Sequence, residues 1–181
     1  MYKHSLLKRD DGDHVTVWVD RRFIEHEDDE EDDESLAKRQ TDIRLANGSG
    51  FKNDIFSDRC HHHKRQDHTG PNGPTTGGVQ AIYQWARAHS GGTFPVTTST
   101  TWKNLIVAGS NGGTNALYRA RTTGGSQGTL IGTADVRNDA DWTQNKARNF
   151  GGKWRASSKG GETCAYGLRL NYELIKTKYD V

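Results

Sequence analysis

Apolar residues are scarce in this chain. They make up 31% of its 181 residues, and the mean hydropathy is −0.92. Compact domains usually contain more, so we expect part of the chain to lie outside any packed core. No stretch approaches the roughly 18 apolar residues of a membrane-spanning helix, which predicts that the protein has no transmembrane segment. Residues 1–9 are too polar for a signal peptide, so a secreted form would already have lost that peptide.

The charges are unevenly distributed, although the net charge is only +2. Residues 10–39 carry 13 acidic and 4 basic side chains, whereas residues 66–181 carry 7 acidic and 13 basic ones. Nine of the ten residues in Glu25–Glu34 are acidic, and their mutual repulsion predicts an extended, solvated segment. We interpret residues 1–39 as an acidic pro-segment or a disordered arm. This segment is either a spacer or a mobile polyanion that covers the basic part of the molecule.

One segment has the periodicity of an amphipathic helix. Val79, Ile82, Tyr83 and Ala86 follow the i, i+3, i+4, i+7 pattern of a single helix face. The Thr75-Thr76 pair offers an N-cap before this pattern, and Gly91-Gly92 marks its end. The pattern predicts one helix, preceded by a linker or long loop over the Gly- and Pro-rich residues 68–78.

The remaining regular patterns indicate β-strands. Alternating or β-rich stretches occur at residues 13–24, 41–45, 100–110, 116–123, 129–137, 150–156 and 164–176. Residues 139–149 fit either a short helix or a long loop. We predict an α+β fold in which one helix packs on an antiparallel sheet of about five strands, preceded by a disordered acidic segment. The body would span residues 66–181, with a contribution from residues 40–60.

The sequence does not identify a catalytic residue. Gly124–Gly128 matches the G-x-S-x-G nucleophile motif, but it joins two predicted strands and no histidine follows it. A ribonuclease-like set can be drawn from His89, Glu173 and either Arg119 or Arg121. A histidine at the end of a helix is more often a charge that suits the helix dipole. We therefore assign no catalytic residue, expect binding rather than catalysis, and predict no cofactor.

A histidine-rich stretch raises the question of metal binding. Cys60, His61, His62, His63 and His68 place five possible ligands within nine residues. Adjacent histidines on a flexible loop cannot all converge on one ion, and the sequence shows no second pair of ligands nearby. We therefore predict no metal site.

Basic residues in the C-terminal part are interleaved with tryptophans. This combination suits nucleic acid, anionic polysaccharide or lipid headgroups, and tryptophan rings also stack on sugars. The predicted binding residues are Arg119, Arg121, Trp102, Trp142 and Trp154.

The dipeptide Lys-Arg occurs three times, always within the first 65 residues and at a change of composition. The pairs are Lys8-Arg9, Lys38-Arg39 and Lys64-Arg65. Their contexts, L-L-K-R, L-A-K-R and H-H-K-R, resemble the sites of the kexin-type protease in secreted fungal precursors, such as yeast killer toxins and plant-pathogen effectors. The resemblance implies a secreted protein whose pro-segment is removed by that protease. It also implies a small segment, 40–65, that is cut from the body.

The same resemblance gives a role to the two cysteines. In a secreted chain, Cys60 and Cys164 most simply form one disulfide, which would tie residues 40–65 to the body after cleavage. The alternative is two free thiols in a cytosolic or virion protein. Asn47 begins the only N-glycosylation sequon.

These observations lead to three functional hypotheses. The first is a secreted proprotein that matures by dibasic cleavage into a small basic toxin or effector, which binds an anionic or carbohydrate target on a cell. The second is a structural or virion protein with a flexible charged arm and a β body. The third is a lectin-like carbohydrate-binding module.

Overall fold

The computed structural model describes residues 2–8, 14–20, 42–53, 59–97, 100–110, 112–124, 128–164 and 167–181. Several positions named above lie outside these ranges, namely Arg9, the acidic run, Lys38, Arg39 and the centre of the G-x-S-x-G motif. The chain divides into two compact units, Met1–Ala37 and Lys38–Val181.

The first unit contains an antiparallel pair of strands. Strand β1 spans Tyr2–Lys8 and strand β2 spans His14–Asp20, with Tyr2 opposite Asp20 and Lys8 opposite His14. The alternating valines predicted β2, but residues 2–8 show no comparable alternation.

The second unit contains eleven strands and two helices among its described residues. In chain order they are β3 (Asp42–Leu45), β4 (Lys52–Asn53), β5 (Cys60–Asp67), α1 (Thr76–Ala88), β6 (Gly92–Val96), β7 (Lys103–Gly109), β8 (Asn115–Thr122), β9 (Thr129–Gly132), α2 (Thr133–Gln144), β10 (Arg148–Phe150), β11 (Lys153–Arg155), β12 (Ser158–Cys164) and β13 (Arg169–Thr177). The main sheet has the order β3-β7-β8-β13-β12-β5, and all its pairings are antiparallel. The predicted α+β class is confirmed, with six strands in the main sheet rather than about five and two helices rather than one.

One face of the main sheet, the inner face, packs against the helices. Tyr118 on β8 and Tyr172 on β13 belong to it, and both are fully buried. Helix α1 contributes the apolar positions that predicted it, of which Val79 and Ile82 have no exposed surface. The helix lies very close to the sheet at Gly78, where an added Cβ would lie 2.5 Å from the Ala108 carbonyl oxygen. The apolar stripe of α1 is therefore the centre of the core.

Helix α2 corrects one of the strand predictions. The strand predicted over residues 129–137 ends at Gly132, and the helix already begins at Thr133. The Asp135 carboxylate accepts a hydrogen bond from the Gly132 N–H at 2.8 Å, which satisfies a free donor at the helix start. This local cap explains why the chain turns into a helix there instead of continuing as a strand.

The histidines at positions 61–63 were expected on a flexible loop, but residues Cys60–Asp67 form strand β5. It forms one edge of the main sheet and pairs with β12, and most of its residues are exposed. Cys60 and Cys164 lie directly opposite each other in this pairing and form a disulfide, so the predicted bond is present. An edge strand has only one neighbouring strand. Most of its residues can therefore be polar, because they are not needed to fill the core.

No helix among the described residues is both long and apolar enough to cross a membrane.

Candidate functional site

The face of the main sheet that points away from the helices carries a cluster of basic residues. Side chains alternate along a strand, so every second residue of β5, β12, β13 and β8 belongs to this outer face. Its charged members on these four strands are Lys64, Lys159, Arg169, Glu173, Arg119 and Arg121. Five of these six side chains are basic, which gives this half of the sheet a strongly positive surface.

Trp102 lies at the centre of the predicted binding residues. The guanidinium carbon of Arg119 is 4.8 Å from the centre of the indole ring, and that of Arg121 is 4.4 Å away. Arg119 Nε also donates a 2.8 Å hydrogen bond to Glu173 Oε2. A cation over an indole face is attracted by the negative ring surface, so the two arginines hold the ring in place.

A cleft of about 460 Å³ lies beside this cluster. Residues 70–73 form one wall, and Lys159, Glu173 and Ile175 of the outer face form the other. Glu173 therefore belongs both to the cleft and to the ion pair with Arg119. The volume falls in the range of small-molecule sites.

The structure brings together three of the five predicted binding residues, namely Trp102, Arg119 and Arg121. Trp142 lies on α2, on the inner side of the sheet, where Lys146 Nζ is 5.1 Å from its ring. Trp154 lies in the separate β10–β11 hairpin. Asn47 of the sequon is exposed in the turn after β3.

The ribonuclease-like set is not assembled. His89 follows the last turn of α1 and stacks on Trp85, with ring centres 4.2 Å apart. Glu173 and Arg119 lie on the outer face of the sheet, whereas α1 packs on the inner face. These residues therefore cannot act on one substrate.

A second polar cluster is buried between α2 and the β5–β12 edge of the sheet. We call it the carboxylate cluster; it consists of His63, Arg65, Tyr118, Asp139 and Glu162. Asp139 comes from α2, Glu162 from β12 and Tyr118 from β8, while His63 and Arg65 come from β5. The side chains of Asp139 and Glu162 have no exposed surface, and those of His63 and Arg65 are 18% and 19% exposed.

The contacts in the carboxylate cluster are close. His63 Nδ1 is 2.9 Å from Glu162 Oε1 and 3.8 Å from Asp139 Oδ1. Arg65 Nε donates to Asp139 Oδ1 at 2.9 Å, and the Tyr118 hydroxyl donates to Asp139 Oδ2 at 2.7 Å. Two carboxylates, an imidazole and a guanidinium thus meet at a site that solvent reaches only from the β5 edge.

Burial and like charge change the titration of this cluster. Burial is the largest cause that raises the pKa of Asp139 well above its ordinary value, and the nearby Glu162 charge raises it further. Burial and the Asp139 charge also raise the pKa of Tyr118. For Arg65, burial lowers the pKa, but the Asp139 carboxylate outweighs it and the net shift is upward.

Sequence reasoning did not find Asp139 and Glu162. They are 23 residues apart, on a helix and a strand that the sequence did not predict clearly, and neither lies near His63 in the chain. Solitary carboxylates in polar stretches carry no signal of their own. An aspartate at a buried helix position could have been noticed only once α2 was identified.

The Lys64-Arg65 pair lies within strand β5 rather than in a loop. Its residues pair with Gly161 and Gly160 of β12, and the Arg65 side chain is held by Asp139. The Lys8 of the first pair ends strand β1, and the second pair lies outside the described residues.

Comparison with known proteins gives no match, either to a protein-family model or to a curated protein.

Proposed function

We propose that residues 40–181 are the mature part of a secreted toxin or effector that binds an anionic polysaccharide on a target cell. The observation that carries this proposal is the Trp102 ring held by Arg119 and Arg121 on a basic sheet face beside the cleft. The arginines and Lys159 suit sulfate or carboxylate groups, and the indole and the cleft suit sugar rings.

The disulfide supports a secreted location. Disulfides persist in oxidising compartments and are rare in the cytosol, where thiols are kept reduced. The Cys60–Cys164 bond joins β5 to β12, so it secures an edge strand of the main sheet covalently.

The division of the chain supports processing at the second dibasic pair. The boundary between the two units lies between Ala37 and Lys38, beside the Lys38-Arg39 pair. Cleavage after Arg39 would separate the acidic unit from the basic one.

The third dibasic pair is a poorer substrate in the folded protein. A protease needs an accessible, extended segment, and Lys64-Arg65 would have to leave the sheet and break the Arg65–Asp139 ion pair. We therefore propose cleavage after Arg9 and Arg39, with residues 40–181 remaining one disulfide-bonded chain.

Binding to dextran sulfate, with neutral dextran as reference, tests the polysaccharide proposal. We expect the double substitution Arg121→Ala and Lys159→Ala to weaken binding about 5- to 30-fold, because each lost charge costs up to about 1 kcal/mol. Affinity measured by titration at low salt gives this ratio.

Arg87→Ala with Arg137→Ala is the matched control, since it removes the same charge from the two helices on the other side of the sheet. Equal losses in both double variants would mean that only net charge matters, and would refute a specific site. Binding to duplex DNA but not to dextran sulfate would also contradict the proposal.

A further inference from the structure

The carboxylate cluster supplies the second pair of ligands that the histidine-rich stretch lacked in the sequence. His63, Asp139 and Glu162 each place one possible ligand atom within 4.8 Å of those of the other two. Ligands around a tetrahedral ion with bonds of about 2.0–2.2 Å lie roughly 3.3–3.5 Å apart. Only small side-chain movements separate the observed positions from that arrangement.

A β-bulge points His63 into this cluster. The register between β5 and β12 shifts between Gly161 and Thr163, opposite His62 and His63. His62 has a φ of 52°, the only positive φ outside glycine among the described residues. The bulge changes the alternation, so that both Cys60 and His63 face inward while His61 and His62 are exposed. Bulges that redirect a side chain are frequent beside functional sites, and the φ of His62 is one that such a residue rarely adopts.

Asp139 already has the surroundings of a metal-binding carboxylate. Arg65 Nε and the Tyr118 hydroxyl donate to its two oxygens, and these bonds fix its orientation. A carboxylate oxygen has two lone pairs, so Oδ1 can accept from Arg65 and still bind an ion. Outer hydrogen bonds of this kind orient the ligands in known metal sites.

A buried hydroxyl beside the cluster makes no hydrogen bond of normal geometry. It belongs to Tyr172, which has no exposed surface. The Tyr172 ring stacks on Tyr118, whose hydroxyl donates to Asp139, so Tyr172 lies beside the cluster. Buried polar groups rarely lack a hydrogen-bond partner. A water or hydroxide bound to an ion in the cluster would supply one for the Tyr172 hydroxyl.

We propose that His63, Asp139 and Glu162 bind a divalent transition-metal ion of the zinc class. One imidazole nitrogen and two carboxylate oxygens form a ligand set that suits zinc better than the all-oxygen sets of calcium and magnesium. Three protein ligands leave a fourth position open to water, as in zinc sites that do chemistry rather than closed structural sites. Cys60 and Cys164 are not ligands, because they are joined to each other.

Titration of the metal-free full chain with Zn²⁺ tests this site. Other histidines and the acidic run are expected to bind Zn²⁺ weakly, so the informative quantity is the difference between variants. We expect one tight site in the natural chain, weakened at least tenfold by His63→Ala and by the isosteric Glu162→Gln. Co²⁺ in the same site should show the absorption of a four- or five-coordinate ion, and His63→Ala should abolish that absorption.

His61→Ala is the matched control, because His61 is exposed and two residues from His63. It should leave the tight site and the Co²⁺ spectrum unchanged. Circular dichroism of each variant establishes that it is folded before titration. The proposal is overturned if no tight site exists, if His61→Ala removes it, if Mg²⁺ displaces Zn²⁺ at equal concentration, or if folded Glu162→Gln retains full affinity.

Discussion

At the scale of single residues, the hydroxyl and the ring of Tyr118 make different contacts. The ring stacks on Tyr172, with planes only 2° apart, while the hydroxyl donates to the buried Asp139. Tyr118→Phe keeps the stacking and leaves Asp139 Oδ2 without this donor. We expect the free energy of unfolding to fall by about 1–3 kcal/mol, the usual cost of leaving a buried polar group without its hydrogen-bond partner. Urea denaturation in the presence of a chelator measures this change in the free energy of unfolding without any contribution from bound metal.

Tyr179→Phe provides the comparison for this substitution. Tyr179 is 53% exposed, so the loss of its hydroxyl should change stability by less than about 0.5 kcal/mol. If the two variants are equally stable, the Tyr118–Asp139 bond contributes nothing beyond the packing of the ring.

At the scale of elements, the contact between α1 and the sheet depends on a missing side chain. A Cβ at Gly78 would lie 2.5 Å from the Ala108 carbonyl oxygen and 3.0 Å from the Ala116 Cβ. Alanine favours a helix by up to about 1 kcal/mol over glycine, but overpacking costs about 1–3 kcal/mol. We expect Gly78→Ala to lower the free energy of unfolding by about 1–2 kcal/mol, as measured by thermal and urea denaturation.

The neighbouring glycine separates these two effects. Gly77 lies on the same helix but is exposed, so Gly77→Ala should keep the gain in helix propensity and avoid the clash. We expect it to stabilise the protein by a few tenths of a kcal/mol. A stabilising Gly78→Ala would show that α1 can move away from the sheet without cost.

A comparison of the two helices explains what could and could not be predicted from the sequence. Helix α1 was predictable because its buried positions are apolar and regularly spaced. Helix α2 was not, because its buried positions include Thr133, Asp135, Asp139 and Thr143, which look like surface residues in a sequence. Their burial is possible only because partners from other parts of the chain satisfy them, such as the Cys60 N–H for Asp135 and Arg65 for Asp139.

The outer-face cluster and the carboxylate cluster also differ in how far the sequence predicts them. Strand alternation alone put Arg119 and Arg121 on one face, so two of the six charged residues of the outer-face cluster were visible in the sequence. The carboxylate cluster depends on a bulge and on contacts between residues 74 to 99 positions apart. Periodicity cannot predict either of these, because a bulge is a local break in the pattern and long-range contacts leave no periodic trace.

At the scale of the whole molecule, the division into units coincides with a division of charge. Residues 40–181 carry 18 basic and 10 acidic side chains, a net charge of +8, whereas the complete chain has a net charge of +2. If the acidic segment covers the basic outer face, that interaction is electrostatic and salt must weaken it. The Debye length falls from about 10 Å at 0.1 M salt to about 3 Å at 1 M.

Limited digestion with a kexin-type protease tests both the processing and this shielding. We expect cleavage after Arg39 and not after Arg65, followed by tighter binding to dextran sulfate at low salt, with the gain disappearing as salt is raised. Mass spectrometry before and after reduction locates the cuts, because a chain cut only at Arg39 keeps residues 40–181 as one mass in both conditions. A chain with Lys38→Ala and Arg39→Ala should resist the protease and keep the weaker binding. Early cleavage at Arg65 would contradict the stability of strand β5 in the sheet, and unchanged binding after cleavage at Arg39 would show that the acidic segment does not shield the basic face.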